Sequence, residues 1–137
     1  MLTTVEKVIF LQDVDIFAKI PLEDLAYVAM IADEVVAEPG RVLYAEGDIS
    51  DSMYLVLDGS IRLQRGGIEV MLAGPRDVFG TWALFDDETR IVTAVAAEES
   101  NLLRIDKEDF LDLLADHSRI TEGVLKVLAS KLRNLVG

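Results

Sequence analysis

Between residues 35 and 105 the sequence is a series of short β-prone runs separated by turn residues. The runs recur roughly every ten residues, the spacing of an all-β sandwich or barrel, and about eight strands are expected. The clearest turn is Gly66-Gly67, because paired glycines tolerate the positive φ angles of a two-residue hairpin. The continuous apolar run Met53–Leu57 is predicted to be a central strand. The other predicted strands include Val42–Ala45, Ile61–Arg65, Ile68–Leu72, Ile91–Ala97 and Leu102–Ile105.

Helical patterns flank this β region. Thr3 and Glu6 have the spacing of a capping box, and Pro21 is placed for the first turn of a second helix. The apolar positions that would form the buried faces of these two helices are Val5, Val8, Ile9, Phe10, Leu22, Leu25, Val28, Ala29 and Ala32.

Two more helices are predicted after the last strand. Asp106 would cap the first of them, and the second would run from about Ile120 to Val136. Their apolar positions are Phe110, Leu111, Leu113 and Leu114 in the first, and Val124, Leu125, Leu128, Leu132 and Leu135 in the second. The chain is therefore predicted to be one domain, helical over residues 1–32, a β-barrel over 33–106 and helical again over 107–137.

The composition limits the classes of partner. The net charge of −12 argues against a nucleic-acid surface and against direct contact with anionic membranes, since both depend on Lys and Arg. The chain has no cysteine, which excludes disulfides and thiolate chemistry. The longest apolar run, Leu25–Ala32, is too short to span a bilayer. A cytoplasmic location is expected.

The stretch Phe79–Thr93 contains the strongest functional signal. It reads as a glycine turn at Gly80, one short helical turn, an acidic loop, and Arg90 opening a β-branched strand. A helix start leaves N–H groups without partners, and these attract anions. An arginine ten residues after the glycine can close on the same anion with a planar fork. The hypothesis is a phosphate-bearing ligand between Gly80 and Arg90.

Catalytic and metal sites find no support in the sequence. His117 is the single histidine, too few for a histidine-ligated metal, and no nucleophile-elbow or Walker motif is present. The acids of the loop, Asp86, Asp87 and Glu88, lack the spacing of a calcium site. We therefore expect no enzyme activity, no metal and no cofactor other than a bound ligand.

Two sets of motifs, in order along the chain, carry a family resemblance. The first comprises Glu46-Gly47-Asp48, Asp51, Tyr54 and Gly59, and the second comprises Phe79-Gly80, Ala83-Leu84 and Arg90–Thr93. The whole chain resembles the cyclic nucleotide-binding domain family, of the type found in catabolite activator proteins and protein kinase A regulatory subunits. The resemblance implies an eight-stranded double-stranded β-helix, or jelly-roll barrel, with helices at both ends.

The second set resembles the phosphate-binding cassette of this family. By that resemblance, Gly80 and the N–H groups after it would receive the cyclic phosphate of cAMP or cGMP, together with the amide of Ala83. Arg90 would pair with a phosphate oxygen. Ligand contacts are thus expected at Gly80, Thr81, Trp82, Ala83, Arg90 and Ile91.

The cassette departs from the family pattern, which makes it degenerate. Thr81 stands where the family has a glutamate that binds the ribose 2′-hydroxyl, so binding is expected to be weaker by about 1.5–3 kcal/mol. Thr89 replaces a proline, and Ile91 is bulkier than the usual small residue. Trp82 lies inside the short helical turn, which favours a packed core residue over one that stacks on a purine.

Two functions remain open at this point. The first is a regulatory, ligand-sensing domain attached to an effector module in a larger protein, since the chain ends at Gly137 within an amphipathic helix. The alternative is a degenerate interaction or dimerisation module that binds no nucleotide. Its homodimer interface would be the apolar stripe of the last helix, Val124, Leu128, Leu132 and Leu135.

Overall fold

The structure is a computed structural model that describes residues 1–136, and it divides the chain into two compact units. One unit consists of Met1–Ala32 together with the chain from Glu108 onward, and the other is Asp33–Lys107. We call them the helical unit and the β unit.

Residues 1–136 form four α-helices, α1 (Thr4–Leu11), α2 (Leu22–Met30), α3 (Lys107–Asp116) and α4 (Ser118–Val136). A short 3-10 helix, Asp15–Phe17, lies between the first two. The predicted capping box of α1 is confirmed: the Glu6 N–H donates to Oγ1 of Thr3 at 3.2 Å, and the Thr3 N–H donates to Oε1 of Glu6 at 3.0 Å. Pro21 is the N-cap residue directly before α2, one position ahead of the first turn in which the sequence predicted it.

The buried side of the helical unit was predicted only in part. Its fully buried large side chains include Phe17 and Phe110, whose ring centroids are 6.1 Å apart. The predicted buried positions Val5, Ile9 and Leu22 are exposed instead, and so are the apolar residues Leu111 and Leu125 of the last two helices. In a helix as short as α1, apolar residues point to more than one side, so the pattern does not define the buried face. The buried residues that were missed include Leu11, Val14, Ile16, Phe17, Ile20 and Val127.

The β unit contains eight strands. These are β1 (Ala32–Ala37), β2 (Val42–Tyr44), β3 (Ser52–Asp58), β4 (Ile61–Arg65), β5 (Ile68–Ala73), β6 (Val78–Phe79), β7 (Thr93–Ala96) and β8 (Ser100–Asp106). They form two four-stranded sheets in the orders β1-β8-β3-β6 and β2-β7-β4-β5. The predicted fold class, mainly β in a jelly-roll arrangement with flanking helices, is confirmed, although ladder pairing within residues 1–136 does not join the two sheets into a closed barrel.

The core of the β unit lies under the predicted ligand site. β3 is the buried central strand that its apolar run predicted, and it pairs with both β6 and β8. An aromatic cluster fills one end of the core: the rings of Tyr54 and Phe79 stack at 5.2 Å, and the ring of Tyr44 lies 6.2 Å from each. The elements that follow Phe79 therefore start from a fixed position.

The loops before β5 and β7 differ in how well the sequence predicted them. The predicted hairpin is confirmed, with φ of 58° at Gly66 and 79° at Gly67. β7 begins at Thr93 and not at Ile91 as predicted, because Arg90 pairs with a turn instead of a strand: its N–H donates to the Asp48 carbonyl and its carbonyl accepts from the Gly47 N–H, both at 2.8 Å. Among the helices described within residues 1–136, none combines the length and apolarity that a bilayer span requires.

Candidate anion-binding site

One cavity in the β unit brings together every ligand contact that the sequence predicted. It has a volume of about 380 Å³, within the usual range for small-molecule sites. Its lining includes all six predicted residues, Gly80, Thr81, Trp82, Ala83, Arg90 and Ile91. Their role as ligand contacts stays a prediction.

The first wall is the turn after β6. Gly80 adopts the left-handed conformation with φ of 74°, and a four-residue 3-10 helix, Thr81–Leu84, starts directly after it. No side chain caps this helix. The N–H groups of Thr81 and Trp82 precede its first internal hydrogen bond and donate to no other group within residues 1–136.

The amide of Ala83 is not free to bind the phosphate, as the family resemblance implied it would be. Its N–H donates to the Gly80 carbonyl at 3.1 Å, so this amide already has a partner inside the turn. The pairing is the i to i+3 bond that closes a 3-10 turn. The free donors are therefore the two amides before it.

Glycine is the residue type that fits beside Arg90 at position 80. A Cβ on Gly80 would lie 2.8 Å from Nη1 of Arg90 and 3.1 Å from the Ser52 carbonyl oxygen. Residues with a side chain also avoid a φ of 74°. The glycine thus allows the backbone turn and the guanidinium to lie against each other.

Arg90 forms the second wall and is 6% exposed. Its Nη2 donates to the Ser52 carbonyl at 2.7 Å and to Oγ of Ser52 at 3.2 Å, and the same atom lies 3.5 Å from Oδ1 of Asp51. Its Nε is buried and makes no hydrogen bond within residues 1–136. A buried cationic donor without a partner is costly, which favours an anion at this position.

The ring of Tyr44 packs against the guanidinium of Arg90. The Cζ atom of Arg90 lies 3.8 Å from the centre of the Tyr44 ring, a cation–π contact. Burial raises the pKa of Tyr44 to about 12, although the nearby Arg90 charge acts in the opposite direction. The phenol therefore stays neutral, and the ring serves as a fixed platform for the arginine.

The other side of the cavity is open. Trp82 is 57% exposed and Ile91 is 68% exposed, while Thr81 is half-buried. The prediction that Trp82 packs in the core is wrong: Ala83 and Leu84 take the buried positions of the short helix, which leaves the indole outside. Thr81 thus leaves open space that Trp82 does not fill.

The acidic loop lies at the edge of this open side. Asp86 and Glu88 line the cavity, whereas Asp87 points to Lys107, whose Nζ lies 2.7 Å from its Oδ1. That hydrogen bond lowers the pKa of Asp87. The described part of the chain, residues 1–136, contains no cluster of three or more side chains suited to hold a metal ion.

Two residues that hold Arg90 were not identified from the sequence. Tyr44 and Ser52 lie far from it along the chain; Tyr44 was predicted only as part of the strand Val42–Ala45, and Ser52 was not singled out. A partial signal exists for Ser52, because it directly follows Asp51, one of the family-like positions. No pattern in the sequence singles out Tyr44.

Comparisons with known proteins agree with this geometry. A family model described as "Cyclic nucleotide-binding domain" matches residues 34–117. The chain is similar to the cyclic AMP receptor protein of Thermus thermophilus, with 36% identity over 99 residues, covering 69% of this chain and 46% of that protein. It is also similar to lysophospholipase nte1 of Neurospora crassa, with 29% identity, covering 82% of this chain and 8% of that protein.

Among solved structures, the N-terminal domain of a transcriptional regulator from Streptomyces coelicolor A3(2) superposes with a TM-score of 0.86. The two share 27% identity, and the match covers 92% of this chain and 94% of that one. The curated relatives are longer: the chain spans less than half of the length of the two that are compared with it above.

Proposed function

The chain belongs to the cyclic nucleotide-binding domain family, a family of regulatory domains, and we propose that its cavity binds a 3′,5′-cyclic nucleotide, cAMP or cGMP. The observation that carries this proposal is the buried Arg90 with an unpartnered Nε, placed at the cavity beside the turn at Gly80. A cyclic phosphate is a small anion that both walls can contact at once.

The phosphate would be held from two directions. Arg90 would donate from its guanidinium, and the amides of Thr81 and Trp82 would donate from the start of the 3-10 helix. The amide of Ala83 is left out of this proposal because its N–H has a partner. The charge of Arg90 supplies the local attraction that the acidic chain as a whole does not.

Ligand binding would be transmitted through Asp51. This residue lies 3.5 Å from Arg90 and 3.8 Å from Arg104, and its carbonyl accepts the N–H of Lys107 at 2.8 Å. Lys107 is the first residue of α3. A phosphate that shares the guanidinium of Arg90 with Asp51 would weaken the contact between these two side chains and so change the contacts of Asp51 at the start of α3.

Titration calorimetry with cAMP and cGMP tests the proposal. We expect binding by the native chain and a loss of about 10- to 150-fold or more in Arg90→Ala, because a hydrogen-bonded charge pair contributes about 1.5–3 kcal/mol. Arg62→Ala is the matched control, since Arg62 is a part-exposed arginine of the same unit that pairs with Glu69 and does not line the cavity. No heat from folded native chain at millimolar ligand would contradict the proposal.

The relatives also support a proposal about the wider role of the chain. We propose that the chain has no catalytic activity, acts in the cytoplasm, and regulates an effector module in a longer protein. The support is its match to less than half of a receptor protein and to 8% of a lysophospholipase, since similar domains thus occur in chains with different names. With a net charge of −12, any contact with nucleic acid would belong to the attached module.

A second candidate function rests on α4. Its exposed apolar side chains include Leu125, Leu132 and Leu135, and half-buried Leu128 completes the spacing of three, four and three residues typical of a helix-pair seam. The predicted stripe member Val124 is buried and is not available for this interface. We propose that the stripe serves in dimerisation, with or without ligand. Sedimentation of the native chain against Leu132→Glu tests it, and a native monomer at high concentration would contradict it.

A further inference from the structure

Trp82 has an unusual position for the chain's single tryptophan. It lines the cavity yet is 57% exposed, although a side chain of this size is normally among the best-buried apolar surfaces. The fold does not need it there, because Ala83 and Leu84 supply the buried side of the short helix. The centroids of its ring and the Phe85 ring lie 6.2 Å apart with the ring planes at 60°, which limits the directions that the indole can face.

The indole lies beside the donors that we assign to the phosphate. The N–H of Trp82 is one of the two free amides of the turn. A ligand held by that amide is within one side-chain length of the ring. The cavity's other strongly exposed apolar lining residue is Ile91, so the open side offers apolar surface, with the acids Asp86 and Glu88 at its edge.

We propose that Trp82 recognises the base of the bound nucleotide by stacking its indole on the purine ring. This inference rests on the proposed function and adds a specificity-determining residue to it. Stacking uses the face that every base has, so Trp82 would favour ligands with a base over those without one. It would contribute equally to cAMP and cGMP.

A comparison of ligands with and without a base tests the stacking. Calorimetry would use cAMP, cGMP and ribose 3′,5′-cyclic phosphate, which keeps the phosphate and ribose but has no base. For the native chain we expect both nucleotides to bind about 5- to 100-fold more tightly than the base-free probe, the factor that one stacked base supplies. In Trp82→Leu this ratio should fall towards one, whereas Trp82→Phe should keep most of it.

Two further measurements strengthen the test. Trp82 is the only source of tryptophan emission, so cAMP should change the fluorescence of the native chain with the same Kd as calorimetry gives. Tyr27→Leu is the matched control, because Tyr27 is another part-exposed aromatic residue and belongs to the helical unit. Its ratio should equal that of the native chain.

The outcomes separate this inference from the proposed function. If the native chain binds cAMP and the base-free probe equally, and Arg90→Ala loses both, the stacking is wrong and the phosphate site stands. If Trp82→Leu still prefers the nucleotides over the base-free probe as strongly as the native chain does, the stacking is also wrong. If the native chain binds none of the three ligands, both proposals fall. The native-chain comparison needs no variant, and circular dichroism establishes that Trp82→Leu is folded.

Discussion

The cavity has a buried wall and an exposed wall, and the chain constructs them in different ways. On the buried wall, Arg90 is held by Ser52 and Tyr44 and lies directly against Gly80. On the exposed wall, Trp82 and Ile91 have most of their surface free. The buried wall is fixed by the packing of the β unit before any ligand arrives, so its donors are preorganised for an anion. The exposed wall can change with the ligand, and substitutions there affect affinity more than stability.

Gly80→Ala is the change with the largest expected effect. It places a Cβ 2.8 Å from Nη1 of Arg90 at a φ of 74°, so backbone strain and a steric clash add together. We expect the free energy of unfolding to fall by about 2–5 kcal/mol and cAMP binding to be lost. Urea unfolding and calorimetry measure the two effects.

Gly67→Ala is the matched control for that change. Gly67 has a φ of 79°, but no atom lies within 4 Å of the position that a Cβ would take, so only the backbone strain, about 1–2 kcal/mol, is expected. Binding should be retained. Equal losses of stability in both variants would contradict this expectation, because they would show that the close approach to Arg90 adds no destabilisation beyond the backbone strain.

The stability of the buried wall should depend on pH through Tyr44. Burial raises the pKa of its phenol from 10.0 to about 12, so between these values the unfolded chain has lost a proton that the folded chain keeps. Stability is therefore complete below pH 10 and decreases as the pH rises to 12, by up to about 2–3 kcal/mol.

Tyr44→Phe isolates this contribution. Denaturant unfolding of the native chain and the variant between pH 9 and pH 12 should show a steeper loss in the native chain, since phenylalanine keeps the ring beneath Arg90 but has no proton to lose. If the free energy of unfolding falls equally with pH in the native chain and in Tyr44→Phe, the Tyr44 hydroxyl is accessible to water in the folded state.

These two walls also differ in what the sequence could predict. Gly80 and Arg90 were found because a glycine turn, a helix start and an arginine at fixed spacing form a local pattern with a chemical meaning. Their supports were not found, because Ser52 lies 38 residues from Arg90 and meets it only through the pairing of strands. The exposure of Trp82 was predicted wrongly because a helix of four residues has no periodicity from which to read a buried face.

The strands show the same distinction on a larger scale. β4 was predicted with its observed bounds, since alternation and the glycine pair after it are both local signals. The start of β7 was placed too early, because Arg90 pairs with the turn at Gly47 and Asp48, a contact made across the fold. Local chemistry could be predicted, whereas long-range pairing could not.

Thr81→Glu tests whether the exposed side of the cavity can gain a contact to the ribose. A carboxylate at this half-buried position can accept a hydrogen bond from a ribose hydroxyl, which the family resemblance assigns to it. We expect the affinity for cAMP to increase about 10- to 150-fold and the affinity for 2′-deoxy-cAMP to stay closer to that of the native chain. Thr81→Gln is the uncharged control. If Thr81→Glu weakens both ligands equally, the added charge repels the phosphate and does not reach the ribose.

The smallest expected effect concerns the acidic loop at the edge of the exposed wall. Asp86 and Glu88 line the cavity and repel an anion, but water screens exposed charges strongly. The double variant Asp86→Asn/Glu88→Gln should therefore bind cAMP only up to about 5-fold more tightly at low salt, with a smaller gain at high salt. Asp87→Asn is the control, because Asp87 pairs with Lys107 and does not line the cavity. A gain that is the same at both salt concentrations would mean that the loop acts by changing the shape of the exposed wall and not by its charge.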